Sequence, residues 1–155
     1  MTILDQAYAA HLNRSDTPLD RDQWEAENAS RVMRELEIFS EAYATALFWS
    51  STDATEDGDT INLDDYMTST QADDHCRAEA ADFFSAYYAD LTEAAQRPGY
   101  SLELAGHDFA LTRNHHGAGY WDRGLGELGA RLTEAAHARG ECWPYLGDDE
   151  LVYIN

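Results

Sequence analysis

Two stretches of the chain repeat apolar side chains at the spacing of an α-helix, and they fix its general plan. From Arg31 the apolar positions are Val32, Leu36, Phe39, Tyr43 and Ala46 or Leu47. They fall on one face of a helix of about five turns that ends near Trp49. A second stripe, Cys76, Ala80, Phe83, Phe84, Tyr87, Leu91 and Ala94, predicts a helix from about Ala72 to Ala95, stopped by Pro98-Gly99. Ahead of both, Ile3 to Leu12 reads as a short amphipathic helix broken by Asp16-Thr17-Pro18. Asp22 is placed to cap the stretch that holds Trp24.

The rest of the chain has other periods. Residues 51–71 read as a loop or a poorly regular segment. From Ser101 to Thr112 the alternation of Leu102, Leu104, Phe109 and Leu111 predicts strands interrupted near Gly106. Asn114 to Gly119 is a glycine-bearing turn, after which Tyr120 and Trp121 begin a return strand. Leu125, Leu128, Leu132 and Ala135 or Ala136 mark a third long helix ended by Gly140. Trp143–Leu146 and Leu151–Ile154 flank Gly147-Asp148-Asp149 as a terminal hairpin. The expected architecture is α+β: a helical N-terminal body followed by a small antiparallel sheet carrying one helix, in a single domain over residues 1–155. The 155 residues are 44% hydrophobic and 12% aromatic, enough to bury a core and unlike a disordered acidic tail.

Charge speaks to partners rather than to fold. Thirty acids face ten arginines, with no lysine, for a formal charge of −20. Such a field repels phosphate and anionic lipid and attracts basic surfaces. A salt-adapted surface, or arginine replacing lysine in a GC-rich genome, gives a similar composition. The acids are unevenly spread, however. From Asp53 to Asp74 there are eight and no arginine: Asp53, Glu56, Asp57, Asp59, Asp64, Asp65, Asp73 and Asp74. With Glu79 and Asp82 on the following helix they are the candidate partner-binding face. A row of carboxylates approximates a phosphate strand, although more sparsely than the charge every ~1.7 Å of duplex axis.

Other features exclude or nominate chemistry. Cys76 and Cys142 have no metal or redox spacing, so a reducing compartment is the simpler setting. The N-terminus lacks a basic, apolar leader, and no run of apolar residues is long enough to span a membrane. The stretch from Asp53 to Asp64 partly fits a calcium loop, with Asp53, Thr55, Asp57 and Asp59 as ligands, Gly58 at the turn and Asp64 closing. Thr55 and Asp64 depart from the usual residues, and a plain acidic loop is the simpler reading. The densest chemistry lies between His107 and Asp122. His115 or His116 beside Asp108 or Asp122, with Arg113 holding an anion, would suit a hydrolase. Tight turning by Gly117 and Gly119, packing by Phe109, Leu111, Tyr120 and Trp121, and local pairing of Arg113 and Arg123 is the structural alternative, and the stronger one.

The segment Gly106-His107-Asp108-Phe109, Leu111-Thr112-Arg113-Asn114 and Gly117-Ala118-Gly119-Tyr120-Trp121-Asp122-Arg123-Gly124 resembles a family of small acidic bacteriophage proteins. The likeness covers the last third closely and the helical half loosely, and departs at His115-His116, where one position is usually small. It implies an accessory phage protein acting in the cytoplasm of an infected bacterium, with no activity carried over. In charge the chain resembles phage mimics of DNA that block CRISPR effectors or restriction enzymes. The leading expectation is therefore a non-enzymatic inhibitor, without cofactor or metal. It would bind the basic DNA-binding surface of a host defence complex, and neither nucleic acid nor membrane directly; a homodimer stays open. The alternative is a small hydrolase or nucleotide-signal sponge built on His107 to Asp122.

Overall fold

The computed structural model describes residues 1–155 and is organised around one long helix. That helix, α2, runs Arg21–Trp49, about 44 Å at 1.5 Å per residue. Its N-cap is Asp20, whose carboxylate accepts from the Gln23 amide at 3.0 Å, while Asp22 lies in the first turn. The expected cap at Asp22 is thus displaced by two residues, and the Trp24 stretch and the Val32 stripe form one continuous helix. Trp24, Val32, Phe39, Tyr43, Ala46 and Leu47 are buried along it. Before it, α1 (Ile3–Arg14) opens on a capping box in which Thr2 and Asp5 satisfy each other's amides.

After α2 the chain makes a small antiparallel hairpin, β1 (Thr52–Ala54) and β2 (Thr60–Asn62), with Asp53 opposite Ile61. A 3-10 turn follows at Leu63–Asp65. The segment expected to be a loop or poorly regular thus holds only these short elements, anchored by buried Leu63. Ser69 caps α3 (Thr70–Ala86), and α4 (Tyr88–Ala94) continues it. The single helix expected over 72–95 breaks at Tyr87, whose φ of −118° and ψ of 28° leave the helical region.

The main departure is α5, Leu102–Arg113, a helix where strands were expected. Ser101 caps it through the Leu104 amide. Ala105, Gly106, Asp108, Phe109, Ala110, Leu111, Thr112 and Arg113 are all buried, so α5 is a central helix covered almost all round. It packs chiefly on α2. Gly106 permits that contact: a Cβ there would lie 2.3 Å from the Phe39 carbonyl oxygen. Phe83 and Phe109 stack at 3.9 Å between ring centres, with Phe39 and Tyr43 against them. Tyr120–Asp122, expected to begin a strand, is a second 3-10 turn. α6 (Glu127–Ala138) then packs on it.

The terminal hairpin forms as expected, from β3 (Pro144–Leu146) and β4 (Val152–Ile154), with Tyr145 opposite Tyr153. The architecture is α+β, a six-helix body with two small two-stranded sheets. The hairpins are tied to each other and to the body. The Leu146 amide donates to the Asp53 carboxylate at 2.8 Å. Val152 exchanges backbone hydrogen bonds with Met67 and Ser69. The Gln71 side chain clamps Ile154 through both its N–H and its C=O. No helix is long and apolar enough to cross a membrane.

Candidate functional site

The charge excess becomes a surface because the arginines are already engaged. Nine of the ten lie within 4.0 Å of a carboxylate. The tenth, Arg14, donates to the Ala89 carbonyl and the Thr92 hydroxyl. Ten of the thirty acids take part in those pairs, which leaves twenty without a basic partner. The exposed pairs among them contribute little stability, but together the pairs occupy the guanidinium groups that could otherwise neutralise the remaining carboxylates.

The ten acids nominated from the sequence divide in two. Five have internal partners. Asp53 accepts from the Leu146 and Ala54 amides, and Asp73 accepts from the Thr68 hydroxyl at 2.6 Å. Asp74 meets Arg77, Glu79 meets Arg113 at 2.9 Å, and Asp82 meets Arg139. The helical flank of the face is therefore largely neutralised. The other five, Glu56, Asp57 and Asp59 at the β1–β2 end and Asp64 and Asp65 on the 3-10 turn, are exposed and belong to no ion pair.

The structure adds acids that the sequence reading left out. The Asp53–Leu146 bond and the contact of β3 with both β1 and the 3-10 turn set the terminal hairpin beside the first. Its tip carries Asp148, Asp149 and Glu150, all exposed. No arginine occurs between Arg34 and Arg77, nor after Arg139. Two arginine-free stretches therefore pack into one two-hairpin layer. The tip is visible in sequence as a turn; its neighbour lies 93 residues away along the chain, and no local signal joins them. Asp149 accepts from the Leu151 amide and the Tyr153 hydroxyl, and that hydroxyl, then the backbone, holds its carboxyl below the ordinary range.

The His107–Asp122 segment is held apart rather than gathered. Asp108 is fully buried and receives Arg123 in a two-pronged pair at 2.7 and 3.0 Å, with the Tyr100 hydroxyl at 2.8 Å. Burial, then the Asp108 charge, pushes the Tyr100 phenol well above its ordinary value. Arg113 donates to the Gly140 and Arg139 carbonyls, the Tyr43 hydroxyl and Glu79, which fastens the end of α6. The Asn114 amide clamps the Cys142 backbone from both sides. His107 lies against Trp49, His115 stacks on His137 at 4.4 Å, and His116 meets the edge of Trp143. Each histidine thus has a different aromatic neighbour.

A groove of about 600 Å³ between α2 and α5 holds His107, Glu41, Glu103 and Arg123. An anionic ligand there would meet two acids, with Arg123 already bound by Asp108. The stretch from Asp53 to Asp64 closes as a hairpin, and nowhere do three His, Cys, Asp or Glu side chains gather as a cation site. Cys76 and Cys142 are buried free thiols, and burial pushes the Cys76 thiol up to about 12.

Fold and site together define a helical body capped by an acidic, arginine-free two-hairpin layer. No protein-family model, curated protein or solved structure matches this chain.

Proposed function

We propose that the two-hairpin layer is a counterfeit of nucleic acid, and that the chain inhibits by occupying a basic nucleic-acid-binding channel. The reading rests on one observation: carboxylates without a basic partner on two arginine-free stretches lie in one layer while every arginine is engaged elsewhere. The free acids sit on the turns of the two hairpins and on the 3-10 turn between β2 and α3, a sparser array than the ~3.4 Å phosphate spacing of one DNA strand but one that acts as a group. A channel evolved for phosphate would release its counterions to this face, and binding would weaken steeply with salt. Complementary fields would mainly speed and orient encounter. The resemblance of segment 106–124 to phage proteins is what supports taking the channel as that of a bacterial defence complex, a CRISPR effector or restriction enzyme, met in the cytoplasm of an infected cell.

The test is recovery from bacterial lysate at about 50 mM and about 200 mM salt, using the chain and a variant with Asp57, Asp59, Asp64 and Asp65 changed to Lys. The expected result is a nucleic-acid-binding complex held only at low salt, released by duplex DNA, and lost in the variant. Capture that ignores salt, DNA and the four reversals would refute the reading.

A further inference from the structure

We infer that the outer face of the terminal hairpin stacks guanidinium groups, so that the partner surface is rich in arginine rather than merely positive. This rests on the reading above and specifies its partner. Trp143, just before β3, is 44% exposed, and Tyr145, within it, is 38% exposed; two residues apart, they share one side of an extended chain. Tyr145 stacks on its cross-strand partner Tyr153 at 6.0 Å and 27°. The Tyr153 hydroxyl donates to Asp149 at 2.5 Å, so one member of the ring pair is fixed to a carboxylate. Glu141, which is in no ion pair, lines the depression beside Trp143, together with Glu79 already held by Arg113. Asp64 and Asp65 lie on the turn that packs against β3.

The chain's own arginines stack on rings elsewhere. Arg21 lies over Tyr8, Arg113 over Phe109, and Arg139 over Phe83 and Tyr87. None covers Trp143, Tyr145 or Tyr153. Arg113 lines the same depression as Trp143 but is buried, with its donors on four acceptors. Exposed rings with negative faces, rimmed by carboxylates and with no internal guanidinium stacked on them, suit a planar, weakly hydrated cation from outside. Arginine meets that description and lysine does not. The arrangement also deepens the counterfeit. Arginines that grip nucleic acid stack on exposed bases as well as pairing with phosphates, and here rings and carboxylates offer both.

The experiment titrates the full chain with octa-arginine and octa-lysine peptides at one fixed salt concentration. Substitutions are Trp143→Leu and Tyr145→Leu, which keep apolar bulk without a ring, and Tyr145→Phe, which keeps the ring. Octa-arginine should bind tighter than octa-lysine by roughly two- to fivefold for each stacked guanidinium. The double Leu variant should bind the two peptides equally, with octa-lysine affinity unchanged, and Tyr145→Phe should retain the preference. Equal binding by the unaltered chain, or a preference that survives the double Leu variant, overturns the inference and leaves the parent reading standing. Failure of both peptides to bind removes both. Self-association of the chain that Trp143→Leu abolishes would assign the rings to a second copy, and would also overturn it.

Discussion

Removing the Asp108 carboxylate tests whether the His107–Asp122 segment holds the fold or does chemistry. Asp108 is fully buried, and its two oxygens accept three donors: Arg123 Nε and Nη2, and the Tyr100 hydroxyl. Asp108→Ala would strand the guanidinium and leave the phenol without its acceptor. Breaking a buried pair from one side costs about 3–5 kcal/mol. The Arg123 side chain keeps 27% exposure, so water can reach part of its charge and the lower end, about 3 kcal/mol, applies. A domain of this size loses about 2–4 °C of melting temperature per kcal/mol, which gives a fall of about 6–12 °C. Asp108→Asn keeps the shape and an acceptor for one donor but loses the charge, and should fall between the two. Thermal unfolding followed by circular dichroism reads all three proteins. A melting temperature for Asp108→Ala within about 2 °C of the unaltered chain would refute the structural reasoning. If function were lost at the same time, Asp108 would be a functional residue instead.

Three further outcomes follow from the same physics. Gly106→Ala should destabilise by about 2 kcal/mol, because about 1 kcal/mol gained in helix propensity is set against about 3 kcal/mol of overpacking on the Phe39 carbonyl; a rise in the urea midpoint would contradict the close α2–α5 contact. Salt should raise the melting temperature, since screening relieves repulsion among the carboxylates without partners; a fall would mean that the exposed ion pairs dominate. Asp5 is held below its ordinary value of 3.8 by the Thr2 backbone and then Arg21. Its contribution is therefore complete above that value and disappears as pH falls through the lower folded value. The stability gap between the chain and Asp5→Asn should shrink on acidification from about pH 5 to about pH 3, and a constant gap would count against the cap.

The legible parts of the fold are those where one face is wet and the other dry. The stripes of α2, α3 and α6 and the turn at Gly147 show in the sequence because solvent enforces a period. α5 does not, because it is buried on nearly every side. Its apolar residues need no stripe, Leu102, Leu104, Phe109 and Leu111 happen to alternate, and Gly106 looks like an interruption when it is a contact point. The sequence does not separate Asp20 from Asp22 as the cap, because the two are equally good acceptors. The candidate site was half legible. Glu56, Asp57, Asp59, Asp64 and Asp65 stand free as a run without arginine suggests. The pairing of Glu79 with Arg113 and of Asp82 with Arg139 joins residues 34 and 57 positions apart, and the arrival of Asp148 to Glu150 depends on the Asp53–Leu146 bond.

The claim beneath all of this is that one layer of the molecule, and not its whole surface, meets the partner. Carbodiimide labelling of carboxylates, read by mass spectrometry with and without a captured nucleic-acid-binding complex, measures that directly. Glu56, Asp57, Asp59, Asp64, Asp65, Asp148, Asp149 and Glu150 should be protected, while Glu27, Glu103 and Glu134 label as in the free chain. Protection spread evenly over all of them, or confined to the three controls, would contradict the account.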